Sequence, residues 1–168
     1  MLTFIAIGLI TFRWSFSIRK HELKTIEFSK RLKNDPGFEG HLKRVSRLCQ
    51  QIGVAMELPK KDIDELRLGG LFHDIGKIAI DDGILQKTDR LNRRELIEIK
   101  RHADLGYRIL NAVPGMRNIA LYVLSHHERF DGTGYPRGIQ REEIPLISRI
   151  IAVADAYDVI MKGHIKLF

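Results

Sequence analysis

Apolar residues recur along most of this chain at three- and four-residue steps, the spacing of helices that bury one face. Leu42, Val45, Leu48 and Ile52 mark a first stripe, closed by Pro59. Ile63, Leu66, Leu71 and Phe72 mark a second, expected to stop at Gly76. A loop with Asp81-Asp82-Gly83 follows, then helices over 91–99 and 105–113, with a break at Pro114-Gly115. Ile119, Val123 and Leu124 place a helix running into His126. Residues 129–145 hold Asp131-Gly132, Gly134, Pro136 and Pro145 and read as a loop, and 148–161 as a final helix. No segment keeps the two-residue alternation of a strand, so the predicted fold class is all-α.

The final helix is apolar around most of its girth, and burial on several sides is expected for it. Ile147 and Ile151 align with Asp155, Ile150, Ala154, Tyr157 and Met161 cover an adjacent face, and Val153, Val159 and Ile160 leave little polar surface. Further helices or a second copy of the chain, as a homodimer, would supply that cover.

The beginning of the chain has a different pattern. Residues 1–12 carry no charge, Arg13 is the only charge before Arg19, and Arg19-Lys20 close the run. As a helix, residues 1–18 would span about 27 Å, just short of the ~30 Å hydrocarbon core of a bilayer. A basic flank on the C-terminal side is the reverse of a secretory signal, and it would leave the remainder in the cytoplasm. The run therefore reads either as an anchor in the inner membrane, the last span of an upstream sensor, or as an amphipathic or core helix, which Arg13 favours. Residues 19–37 read as a charged connector helix ending at the turn signal Asn34-Asp35-Pro36-Gly37, and 38–168 as the domain proper.

Composition narrows the class without choosing a function. With 44% hydrophobic and 29% charged residues over 168 positions, the chain is globular and of a length for one domain. The single Cys49 excludes an internal disulfide and a cysteine-rich zinc site. The net charge of +7 is spread along the chain and forms no basic tail, so nothing points to a nucleic-acid polymer as partner.

Candidate chemistry lies in the histidines. His73-Asp74 ends one predicted helix and His126-His127 another, His102 falls near the junction of two, and His41 opens the first helix of the domain. Asp155 sits within the apolar final helix, where a carboxylate needs a cation to stay ionised. Imidazole and carboxylate ligands without thiolate suit iron, manganese, nickel or zinc rather than calcium. His21 and His164 lie outside these groupings.

The segments HDIGK (His73–Lys77), HHERFDGTGYP (His126–Pro136) and VADAYD (Val153–Asp158) resemble the signature blocks of HD-GYP domains, in order and at suitable spacing. HLKRV (His41–Val45) resembles the opening block of that family and RHADLG (Arg101–Gly106) its middle histidine. The resemblance covers roughly residues 38–161. It implies an HD-domain helical bundle holding two divalent transition-metal ions, iron or manganese, on His41, His73, Asp74, His102, His126, His127 and Asp155, with Asp74 bridging. A third metal used by some members is not implied, because Gly37 stands where its glutamate would be. Such a pair of ions supplies a nucleophile from water and clamps phosphoryl oxygens. Lys77 would neutralise a phosphate oxygen beside the catalytic Asp74, and Gly134, Tyr135 and Pro136 would meet the substrate, although Asp131 and Tyr135 could equally pin their loop to the helices. Glu128 is a candidate for orienting a histidine.

The activity implied is hydrolysis of cyclic di-GMP to the linear dinucleotide, which some members of the family cut further to GMP. Two other readings are a catalytically weak metal-binding module acting through protein contacts, and an HD hydrolase of another nucleotide. The chain departs from the family after Asp158: where members carry an Arg-x-Tyr-Arg-like stretch and further helices, it reads Met161-Lys162-Gly163-His164-Ile165-Lys166-Leu167-Phe168.

Overall fold

A computed structural model describes residues 36–162, and the apolar run and most of the connector lie outside these residues. The described chain is helical and contains no strand. Seven α-helices follow one another: α1 (Pro36–Ala55), α2 (Lys60–Phe72), α3 (Asp82–Leu85), α4 (Arg93–Lys100), α5 (His102–Asn111), α6 (Arg117–Ser125) and α7 (Leu146–Met161). Short 3-10 turns cover Ile75–Ala79 and Arg141–Glu143. Among the described residues no helix is long and apolar enough to cross a membrane.

The periodic positions form the core. Val45 and Cys49 of α1, Leu66 of α2, and Ile147, Ile150, Ile151 and Ala154 of α7 make one buried cluster, with Leu48, Ile52, Leu58 and Tyr122 packed against it. Helix α2 packs on both α7 and α6, while α5 packs on α6 and on the 3-10 turn that follows α2. Tyr122 of α6 donates its hydroxyl to Glu65 of α2 at 2.8 Å, and Ser148 of α7 donates to the Tyr122 carbonyl at 3.0 Å.

Four expectations from the pattern are corrected. Pro36-Gly37, read as a turn signal, stands instead in the first turn of α1, where a proline lacks no needed donor. His41 is therefore in the second turn of that helix, not at its start. Helix α2 stops at Phe72, three residues before a 3-10 turn that contains Gly76, so Gly76 terminates nothing. Asp81-Asp82-Gly83 is no loop: Asp81 caps a single helical turn by accepting from the Gly83 amide at 2.8 Å. Helix α4 begins at Arg93 because Asn92 and Glu95 form a reciprocal capping box, an Asn-x-x-Glu signal legible in the chain.

The inner face of α7 is buried as its pattern requires, but Val153, Tyr157, Ile160 and Met161 are each more than half exposed among the described residues.

Candidate metal centre

Three histidines are placed by one local device. At the end of a helix the last carbonyls have no amide partner. His73 follows α2 and its Nδ1–H donates to Gly70 O at 2.8 Å; His102 follows α4 and donates to Ile99 O at 2.7 Å; His126 follows α6 and donates to Val123 O at 2.6 Å. A carbonyl only accepts, so each ring carries a proton on Nδ1. In the neutral imidazole the Nε2 lone pair is then left to face the interior.

Those lone pairs have no protein donor. His73 Nε2 is buried with no hydrogen-bond partner. His102 Nε2 and His126 Nε2 approach to 3.4 Å, although two lone pairs cannot bond to each other. A buried acceptor without a donor is costly, and cations bound among these atoms would satisfy them. The donor set therefore fits a metal.

The rings of His102, His126 and His127 are held neutral. Burial pushes His126 down to about 3 and lowers His102 and His127 as well. A group protonated only in the unfolded chain near pH 6.5 penalises folding increasingly as pH falls below that value. His41 acts in the opposite sense: burial works against it, but hydrogen bonds with Asp155 and Asp158 raise it, so its contribution is present in acid and lost as pH rises. Three imidazoles outweigh one. Metal-stripped protein is expected to lose stability steadily between pH 7 and pH 5, with His126 alone contributing about 2 kcal/mol at pH 5. Urea unfolding at a series of pH values checks this; a flat profile over that range contradicts it.

The ligand atoms fall into two groups. His102, His126 and His127 offer atoms within 4.8 Å of one another, and so do His41, His73 and Asp155. Asp74 faces both. Its Oδ1 lies 3.5 Å from His102 Nε2, while its Oδ2 lies 3.5 Å from His73 Nε2, 4.0 Å from His41 Nε2 and 2.7 Å from Lys77 Nζ. Burial acts to raise this carboxyl, yet the Lys77 ammonium beside it holds it well below the usual carboxylate range. All seven residues expected as ligands are thus brought together.

The loop after α6 closes one side. Tyr135 stacks on His127 with ring centroids 4.8 Å apart, and the Lys100 ammonium of α4 lies over the Tyr135 ring, 4.9 Å from its centroid. Gly134 is needed for close approach and not for a positive φ: a Cβ there would overlap the Arg129 amide and sit 2.5 Å from Glu128 Cα. Asp131 does not reach the helices; it binds Thr133 and Arg129 within the loop. Glu128 touches no histidine through its hydrogen bonds, and instead accepts from the Arg137 amide at 2.7 Å, fastening the chain beyond the cis Tyr135–Pro136 bond.

Two partners escaped the sequence. Asp158 accepts from His41 Nδ1 at 2.8 Å, and Arg44 binds the same carboxylate. The available signal was spacing: Arg44 follows His41, and Asp158 follows Asp155, by three residues, which puts each pair on one helix face.

A family model described as HD domain matches residues 29–166. The chain is 38% identical to the cyclic di-GMP phosphodiesterase response regulator of Xanthomonas campestris over 77% of its own length and 35% of that protein. It is 41% identical to the cyclic di-GMP phosphodiesterase of Thermotoga maritima, over 70% of the chain and 33% of that protein. With 3'3'-cGAMP-specific phosphodiesterase 1 of Vibrio cholerae it shares 40% over 74% of the chain and 29% of that protein. The chain spans about a third of the length of these curated relatives. A crystal structure of a cyclic GMP-AMP specific phosphodiesterase from V. cholerae shares the fold, with TM-score 0.59 and 20% identity over 74% of this chain and 36% of that one. By the match of its model to most of the sequence, and with the motif blocks gathered as the HD-GYP resemblance implied, the chain belongs to the HD domain family.

Proposed function

We propose that this domain is a metal-dependent phosphodiesterase that opens a cyclic dinucleotide, cyclic di-GMP above all, to its linear form. The observation that carries the reading is Asp74, whose two oxygens face different ligand groups, as a carboxylate bridging two ions would. His102, His126 and His127 would hold one ion, and His41, His73 and Asp155 the other, with iron or manganese suited to this mixed nitrogen and oxygen set. Bound ions would supply a nucleophile from water and stabilise charge on the phosphoryl oxygens. The protein's own part is to keep the imidazoles of His102, His126 and His127 neutral, to keep Asp74 ionised, and to bring the Lys77 ammonium beside the point where a phosphate would be gripped.

Similarity of about 40% to a cGAMP-specific relative as well as to cyclic di-GMP enzymes makes 3'3'-cGAMP the second substrate to test. Incubation of manganese- or iron-loaded protein with both cyclic dinucleotides and with linear mononucleotides, followed by chromatography, should yield linear dinucleotide from at least one ring. No product from either ring would leave the metal-binding module with protein contacts as the better reading.

Lys77 gives a narrower test. Its ammonium is half-buried and 2.7 Å from Asp74. Lys77→Ala is expected to lower turnover by ~10²-fold, the scale for removing one preorganised charged donor, while elemental analysis still finds the wild-type metal content. Unchanged turnover would assign Lys77 to the surface.

A further inference from the structure

His41 differs from the three imidazoles that lean on carbonyls at helix ends. It stands in the second turn of α1, where the backbone carbonyls around it already accept from amides one turn on. Its Nδ1 needs an acceptor from elsewhere, and α7 provides one. Asp158 is buried, and its Oδ2 accepts from His41 Nδ1 at 2.8 Å. Arg44, one turn beyond His41 on α1, takes the same carboxylate as a fork, with Nε 2.6 Å from Oδ1 and Nη2 2.9 Å from Oδ2. Both oxygens of Asp158 are thereby committed. Because an ionised carboxylate only accepts, the His41 proton resides on Nδ1, and Nε2 is turned toward Asp155 Oδ1 at 3.3 Å and Asp74 Oδ2 at 4.0 Å.

We propose that Asp158, fixed by the Arg44 fork, is a positioning residue that sets the tautomer and ring orientation of His41, so that one cation site, His41–His73–Asp155, depends on it and the other does not. The inference rests on the metal reading of the centre. A carboxylate behind a ligating imidazole fixes its orientation and raises its basicity. Here the same carboxylate also ties α1 to the helix that carries Asp155, so the two ligands from opposite ends of the domain share one anchor. Arg44 has a bidentate geometry that lysine would not reproduce. The competing account is an ion pair that merely joins two helices. It would affect folding but would treat the two cation sites alike.

The experiment uses the full chain as wild type, Asp158→Ala, Asp158→Asn and Arg44→Gln. Manganese affinity and stoichiometry are measured by competition with a chromophoric chelator, the visible spectrum is recorded after cobalt(II) loading, and helicity is checked by circular dichroism. Asp158→Ala should weaken one of two ions by ~10–100-fold, the usual scale for such partners, and alter the cobalt spectrum, leaving the other ion unchanged. Asp158→Asn keeps an acceptor for the Nδ1 proton and should fall between, and Arg44→Gln should weaken the same ion. If Asp158→Ala does not fold, the other two variants carry the test. Wild-type affinity for both ions in every folded variant, or equal weakening of both, overturns the proposal. Wild type without metal overturns it too, and takes with it the reading of the centre, a failure distinguishable from loss of the Asp158 role alone.

Discussion

Asp74→Ala is expected to leave the protein with no bound metal and no measurable phosphodiesterase activity, the largest functional effect of any single substitution in this domain. The two groups of ligand atoms come from different elements, and among the described residues Asp74 lies within 4.0 Å of imidazole nitrogens in both. Removing another ligand, such as His127, takes one donor from one group. Removing Asp74 takes an anionic donor from each, leaving one group with imidazoles alone and the other with Asp155 as its remaining carboxylate. The side chain is buried, so no solvent carboxylate replaces it. Asp74→Asn gives a graded comparison: it keeps the shape and one carbonyl oxygen but loses the charge that balances the cations. Elemental analysis of purified wild type should find two ions per chain, with none in Asp74→Ala and an intermediate content in Asp74→Asn and His127→Ala. Two ions retained in Asp74→Ala would refute the bridging role, and one retained would confine Asp74 to a single site.

Much of this centre was legible from the chain because its ligands occur as blocks at helix ends, where a period breaks off and a polar pair follows. His73-Asp74 and His126-His127 announce themselves that way, and Asp155 does so as a charge in an apolar helix. The device that aims the rings was not legible. A histidine bonded to the carbonyl three residues before it, as at His73, His102 and His126, looks in sequence like any histidine near a helix end. The role of Asp158 was hidden for another reason. Its partners His41 and Arg44 are more than a hundred positions away, and pairing across that separation is decided by packing of α1 against the rest of the core. Local punctuation misled where turn residues serve other ends. Pro36-Gly37 opens a helix, and Asp81-Asp82-Gly83 caps one. The apolar girth of α7 is plain in its pattern, while the exposure of Val153 at 63% and Ile160 at 63% depends on what packs there, which periodicity cannot say.

The glycine of HDIGK is the position where a small change should cost most in stability. Gly76 lies in the 3-10 turn between α2 and α3, pressed against the start of α5. A Cβ on Gly76 would overlap the His102 carbonyl oxygen and lie 2.6 Å from the Gly106 amide nitrogen and 2.7 Å from the His102 carbonyl carbon. All three are backbone atoms, so no rotamer change relieves the overlap; the 3-10 turn and α5 must move apart. Overpacking usually costs about 1–3 kcal/mol where side chains can adjust. Here the expected cost is at or above the upper end, about 3–5 kcal/mol, a large share of a typical stability of about 5–15 kcal/mol. The same displacement separates Asp74, two residues before Gly76, from His102, so metal affinity should fall together with stability. Gly115→Ala is the control. Gly115 has φ +81°, and a Cβ added there would meet nothing within 4 Å, so the substitution brings conformational strain of about 1–2 kcal/mol without crowding. Urea unfolding of the two variants should therefore show a much lower midpoint for Gly76→Ala than for Gly115→Ala, with metal content reduced only in the former. Equal midpoints would mean that the contact between the 3-10 turn and α5 yields easily, and that the glycine of this block is not required by packing.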